Sequence, residues 1–144
     1  MNETVHSGFR LAAVFDMVDP VTGPGFREDH LRLADGSERA AVADYLRSAA
    51  AVLLTPMLMD DVLSPERRGV VPMGFRTDGE WIWTDTITYY LDEYGLAPES
   101  GLLAHVRTRL EAPRVEPSAE VLERAVDFVL TPPEPAGDPV WNIG

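Results

Sequence analysis

The 144-residue chain carries 24 acidic and 12 basic side chains, a formal net charge of −12, with 45% hydrophobic residues and no cysteine. That hydrophobic share supports one packed domain and argues against wholesale disorder, while the acidity repels nucleic-acid phosphates and anionic lipid headgroups. Without cysteine the fold has no disulfide staple, which suits a reducing compartment.

Every base is an arginine. The missing lysine excludes a Gly-x-x-x-x-Gly-Lys phosphate loop and Schiff-base catalysis, and it fits a GC-rich coding bias. Met1 to His6 holds neither a basic run nor an apolar stretch, so no secretory signal is expected. The longest apolar run, Ala49 to Met59, is far short of the ~20 residues that span a bilayer. The expectation is a cytoplasmic protein with neither nucleic acid nor membrane as partner.

In chain order, Phe9 to Val18 reads as a first strand, with Phe9, Leu11, Ala13, Phe15 and Met17 alternating on one face. Asp19-Pro20 ends it and Thr22-Gly23-Pro24-Gly25 reads as a loop. His30 to Leu33 is a candidate return strand, closed by Asp35-Gly36. Ser37 is a candidate N-cap for a helix to about Ala50, in which Val42, Tyr45, Leu46 and Ala49 form a buried stripe. Ala51 to Leu54 fits a short buried strand that either ends at Pro56 or continues as an edge.

Val70 to Thr77 and Glu80 to Thr84 flank Asp78-Gly79, a hairpin signature. With a two-residue loop, Thr77 lies opposite Glu80, Arg76 faces Trp81, Phe75 faces Ile82 and Gly74 faces Trp83. Arg76, Trp81 and Trp83 then share one face, and Val71, Met73, Phe75 and Ile82 share the other. A one-residue slip would reverse the second strand.

Thr84 or Asp85 caps a further helix with Ile87, Tyr90, Leu91 and Tyr94 inward, ended by Gly95. Pro98 opens another, carrying Leu103, Val106 and Leu110. Pro113 and Pro117 bracket a linker, and Ser118 caps a last helix with Leu122, Ala125, Val126 and Val129 inward. The pattern predicts an α+β fold: a small antiparallel sheet with a central hairpin, packed by about four helices. Residues 1–130 form a single domain, and 131–144, with Pro132, Pro133, Pro135 and Pro139, form a Pro-rich tail pinned by Trp141.

The search for chemistry yields little. There is no Gly-x-Ser-x-Gly elbow and no cysteine nucleophile. Gly23-Pro24-Gly25 is a poor phosphate loop because proline removes a donor. His6, His30 and His105 lack metal-ligand spacing, and His105 reads as a solvated or partly buried structural histidine. Asp60-Asp61 could bind a hard cation or move a proton, but at the end of an apolar run the pair points first to capping a short helix, then to partner contact. No catalytic residue, metal site or cofactor is assigned.

Trp81 and Trp83 beside Arg76 are either core or an exposed anchor, since these residue types are enriched at binding hot spots. Asp78, Glu80, Asp85, Asp92 and Glu93 border them. An aromatic patch ringed by acids suits a basic protein target.

The stretch from Gly74-Phe75-Arg76-Thr77-Asp78-Gly79-Glu80-Trp81-Ile82-Trp83-Thr84-Asp85 through Tyr89-Tyr90-Leu91 to Tyr94-Gly95-Leu96-Ala97-Pro98 resembles segments of small actinobacterial proteins, some similar to toxin-immunity proteins. That resemblance implies a cytoplasmic inhibitor that binds a toxin domain and blocks its active site, with no catalytic residue of its own.

The leading expectation is therefore a non-catalytic, immunity- or antitoxin-like inhibitor of a basic protein. Arg76, Asp78, Glu80, Trp81, Trp83, Asp85, Asp92 and Glu93 form its contact surface. The alternative is a small-ligand-binding or regulatory domain with an aromatic-lined pocket. A third is a small hydrolase or isomerase that pairs Asp60 and Asp61 with His30 or His105.

Overall fold

The computed structural model describes residues 9–21 and 23–131. Met1 to His6, Thr22 and the Pro-rich segment from Pro132 through Trp141 to Gly144 lie outside the described residues.

The hairpin organises the architecture. Strands β7 (Phe75–Thr77) and β8 (Trp81–Thr84) pair antiparallel at the centre of a four-stranded sheet. β4 (Ala50–Leu53) adds antiparallel to β7, and β1 (Arg10–Leu11) adds parallel to β8. Helices α1 (Ser37–Ser48), α2 (Asp85–Tyr94) and α3 (Ser100–Leu110) share one core with Trp81 and Trp83. α4 (Ala119–Leu130) covers the opposite face, where Phe9, Ile82 and Ala125 meet Val52 and Phe75. The fold is α+β, with the sheet sandwiched between three helices and one.

Two short ribbons complete it: β2 (Met17–Asp19) with β3 (Gly23–Gly25), and β5 (Leu58–Met59) with β6 (Val71–Pro72). Val71, Tyr90 and Leu96 form a third apolar centre with Phe15, Phe26 and Met59. No helix is long and apolar enough to cross a membrane among the described residues.

The hairpin register differs from the expected one by two residues. Thr77 pairs with Ile82, Arg76 with Trp83 and Phe75 with Thr84. Side chains hold the wider loop open. Asp78 Oδ1 accepts from the amides of Glu80 (3.0 Å) and Trp81 (3.1 Å), while Thr77 Oγ1 accepts from Gly79 N and donates to the Trp81 carbonyl. Because side chains alternate with period two, a two-residue shift leaves every face unchanged. Arg76, Trp81 and Trp83 do share a side.

The first strand is shorter than expected and split in two. Ala13 N donates to the Glu99 carboxylate, at 2.5 Å, and not to a neighbouring strand, so the ladder against β8 stops. Phe9 and Ala12 are buried while Leu11 is 53% exposed, so the expected alternation fails beyond Phe9. Gly23-Pro24-Gly25 is the return arm of a ribbon rather than a loop.

The return strand at His30 to Leu33 reduces to one bridge, Arg32 to Leu96, because His30 Nε2 lies against the Ala97 carbonyl and Gly95 N donates back to Leu91 of α2, so neither extends the ladder. Gly36, not Ser37, holds the N-cap position of α1. Val70 to Thr77 is broken at Gly74, whose carbonyl accepts from Asp85 N at 2.8 Å. α3 begins at Ser100, two residues after Pro98.

Other local readings hold. Val42, Tyr45, Leu46 and Ala49 are buried, as are Ile87, Tyr90 and Leu91 of α2. Ser118 Oγ caps α4 by accepting from Val121 N. On α4, Val121 and Phe128 pack inward beside Ala125 and Val129, because this helix lies on Phe9, whose ring is 5.8 Å from that of Phe128.

Gly95 ends α2 at φ 76°, and a Cβ there would lie 2.9 Å from the Leu33 carbonyl oxygen and 3.1 Å from the Arg39 guanidinium. Gly95→Ala therefore combines left-handed strain with a backbone clash. It is expected to cost about 1–3 kcal/mol, read as a lowered urea midpoint.

Candidate functional site

The hairpin loop delivers Asp78 into a junction of three elements. Its Oδ2 accepts from Tyr45 Oη of α1 (2.6 Å) and lies 2.6 Å from His105 Nε2 of α3, while Oδ1 takes the two loop amides. Burial alone would raise the Asp78 carboxyl above its ordinary range. The donors from Tyr45, Glu80, Trp81 and His105 outweigh it and hold the group below that range. The same contact, added to burial, pushes the Tyr45 hydroxyl up to about 12.

Arg109 of α3 lines the same cavity as Tyr45 and lies 3.6 Å from Glu80. Arg114, in the α3–α4 connection, stacks 5.0 Å over the Tyr45 ring and donates to Ser48 Oγ at 2.8 Å. A cavity of about 90 Å³ opens beside these groups, lined also by Ala49, Ala50 and Ala112.

The residues singled out from the sequence do not converge into one patch. Trp83 is fully buried and Trp81 nearly so. Trp83 Nε1 donates to the Leu46 carbonyl at 3.2 Å, and Trp81 packs against Gly101. Both are core, so the aromatic half of the expected patch faces inward. Arg76 pairs with Asp85 at 2.7 Å and also donates to the Ala49 carbonyl. Asp92 pairs with Arg47, and Glu93 with Arg67.

These acids are also spread out. Asp78 and Glu80 precede β8, Asp85 follows it about 13 Å on, and Asp92 and Glu93 lie roughly 11–12 Å along α2 from Asp85.

Asp60 and Asp61 separate completely. Asp61 is only 1% exposed and accepts from Tyr89 Oη (2.6 Å), Tyr94 Oη (2.7 Å), Leu63 N (2.7 Å) and Ser64 N (3.0 Å). It pins an irregular loop onto α2 and does not cap a helix. Burial pushes its carboxyl up, and these four donors more than reverse that, leaving it below the ordinary range. Asp60 is 57% exposed and accepts from Gly69 N at 2.9 Å, with Arg68 at 3.8 Å.

His30 lies between the Asp16 carboxylate and the Ala97 carbonyl, each at 2.8 Å. Neither described histidine touches Asp60 or Asp61, so the hydrolase constellation does not assemble; His6 lies outside the described residues. Among the described residues no three His, Asp or Glu side chains form a group able to hold a metal ion.

No protein-family model, curated protein or solved structure matches the chain.

What the sequence reading missed is the role of Tyr45, Arg109 and Arg114. Tyr45 reads from the sequence as one more apolar stripe residue, yet its hydroxyl holds the loop through Asp78 and its ring underlies Arg114. The only hint was an arginine-rich α3 end followed by Arg114 between two prolines.

Proposed function

We propose that this chain is a non-catalytic binding domain that captures a basic protein, in the manner of a cytoplasmic immunity or antitoxin protein. The supporting observation is the distribution of charge. Each of the 12 arginines is engaged within the chain. Arg27, Arg47, Arg67, Arg68, Arg76, Arg107, Arg109 and Arg124 meet carboxylates. Arg32 and Arg39 donate to backbone carbonyls, Arg10 and Arg114 lie over aromatic rings, and Arg114 donates to Ser48 as well.

The acids in excess are left unmatched. Glu111, Glu116, Glu123 and Asp127 are exposed on the α3–α4 connection and α4, with no ion pair among the described residues. A surface of one sign, whose own cations are already committed, steers a basic partner at long range and releases it as salt rises. The contact surface thus moves from the buried tryptophans to this corner.

The test compares the tagged protein with a Glu111→Gln, Glu116→Gln, Glu123→Gln, Asp127→Asn variant on lysate of the native host. The wild type is expected to retain one basic protein in near-equal amount at low salt, lose it as salt rises, and inhibit that protein's activity. The variant is expected to recover at least about tenfold less. Retention by the variant, or a wild type that comes back alone, overturns the reading. The alternative, a ligand-binding domain, draws support from the cavity beside Tyr45.

A further inference from the structure

Two guanidiniums and one tyrosine border an open cavity. Arg109 shares a cavity wall with Tyr45, and Arg114 lies 5.0 Å over the ring of that tyrosine. Both line the cavity, which Ala49, Ala50 and Ala112 keep clear of bulk. At about 90 Å³ it exceeds the space one water needs several-fold, roughly 10–15 Å³ on this measure.

The arginines retain donors for a ligand. Arg114 meets no carboxylate among the described residues, and its two hydrogen bonds, to Ser48 Oγ and the Ser48 carbonyl, both come from Nη1 and leave three of its five N–H groups. The carboxylate nearest Arg109 belongs to Glu80, whose side chain is 63% exposed and 3.6 Å away, a loose surface pairing. Asp78 lines the same cavity, yet Tyr45, His105 and the amides of Glu80 and Trp81 already occupy its oxygens.

We propose that this cavity binds a small oxyanion, a carboxylate or phosphate group, held in the fork of Arg109 and Arg114 above Tyr45. A planar guanidinium presents paired donors that match the two oxygens of such a group. The opposing charges are Asp78 and Glu116 on the cavity wall, Glu80 at its edge and the −12 of the whole chain. Binding therefore depends on contact with the guanidiniums and not on long-range attraction. Glu116 borders this cavity, whereas Glu111, Glu123 and Asp127 of the acidic corner lie outside its lining.

The experiment titrates the full isotope-labelled chain with sodium phosphate, and separately with N-acetylalanine as a peptide-terminus carboxylate, against sodium chloride at equal ionic strength. Saturable shifts are expected at the Arg109 and Arg114 Nε–H signals and at the Thr77 and Ala112 amides. Arg114→Gln is expected to weaken binding by about tenfold or more. Arg114 is exposed, so that variant keeps its fold even if Arg109→Gln disturbs the wall it shares with Tyr45.

Saturation by phosphate alone assigns a phosphorylated ligand, and saturation by N-acetylalanine alone assigns a carboxylate; either supports the site. Shifts that match those of chloride, or saturation that Arg114→Gln leaves unchanged, overturn it. Neither result bears on capture of a basic partner at Glu111, Glu123 and Asp127, which lie outside the cavity lining.

Discussion

Asp61→Ala is expected to lower the stability of the chain by roughly 3–5 kcal/mol, close to what breaking a buried charged contact costs. The substitution removes the acceptor of the Tyr89 hydroxyl and of the Leu63 and Ser64 amides beside a void, and leaves the Tyr94 hydroxyl only Ser64 Oγ. Asp60→Asn, one residue earlier, is expected to cost under about 1 kcal/mol, because that side chain is exposed and its arginine contact is long. Urea unfolding followed by circular dichroism separates the two: a large drop in midpoint for one, almost none for the other. Equal losses would mean that the 60–70 loop is not pinned through Asp61.

The same carboxylate sets part of the acid limb of stability. Its folded-state pKa lies below the ordinary value, so the unfolded chain binds its proton more readily. The contribution is fully present above the ordinary carboxylate range and is lost as pH falls through that range toward the lowered folded value. Asp78 carries the same sign for the same reason. Wild-type stability should therefore decline steeply below about pH 4, and the Asp61→Ala variant should decline less over that interval, having lost the group that titrates.

Which parts of this were readable in advance follows from the range of the forces involved. The stripe Val42, Tyr45, Leu46 and Ala49 and the Ser118 cap are local patterns, and the folded chain keeps both. The hairpin faces were readable because alternation fixes them, but the turn width was not. Thr77 and Asp78 set it through side-chain bonds that any Asp-Gly pair could make or omit. The end of β1 depends on Glu99, 86 residues away. The partners of Asp61 are 28 and 33 residues downstream on α2. Asp61 and Asp60 have the same local sequence context, so only the packing of α2 assigns one to the interior and the other to solvent. Likewise, nothing near Arg114 in sequence indicates that it will share a cavity with Arg109.

Trp83→Ala is expected to cost about 3–5 kcal/mol through the cavity it leaves. The ring is fully buried, donates to the Leu46 carbonyl, and packs 6.2 Å from the ring of Tyr45, itself the residue that holds Asp78. The loss should therefore reach beyond the core: the Asp78 junction loosens, and the Tyr45 wall of the neighbouring cavity with it. Trp83→Phe retains much of the volume but not the N–H, and should fall between wild type and alanine. Guanidinium unfolding monitored by the fluorescence of the remaining tryptophans gives the stability, and salt-released capture per folded molecule gives the binding. If Trp83 acts as core, the folded fraction of Trp83→Phe captures a basic partner as well as wild type does, whereas neutralising Glu123 and Asp127 weakens capture without moving the unfolding midpoint. A Trp83→Ala variant that unfolds at the wild-type midpoint but no longer captures would place this ring at the contact surface, and the division between a structural hairpin and an acidic α4 corner would have to be abandoned.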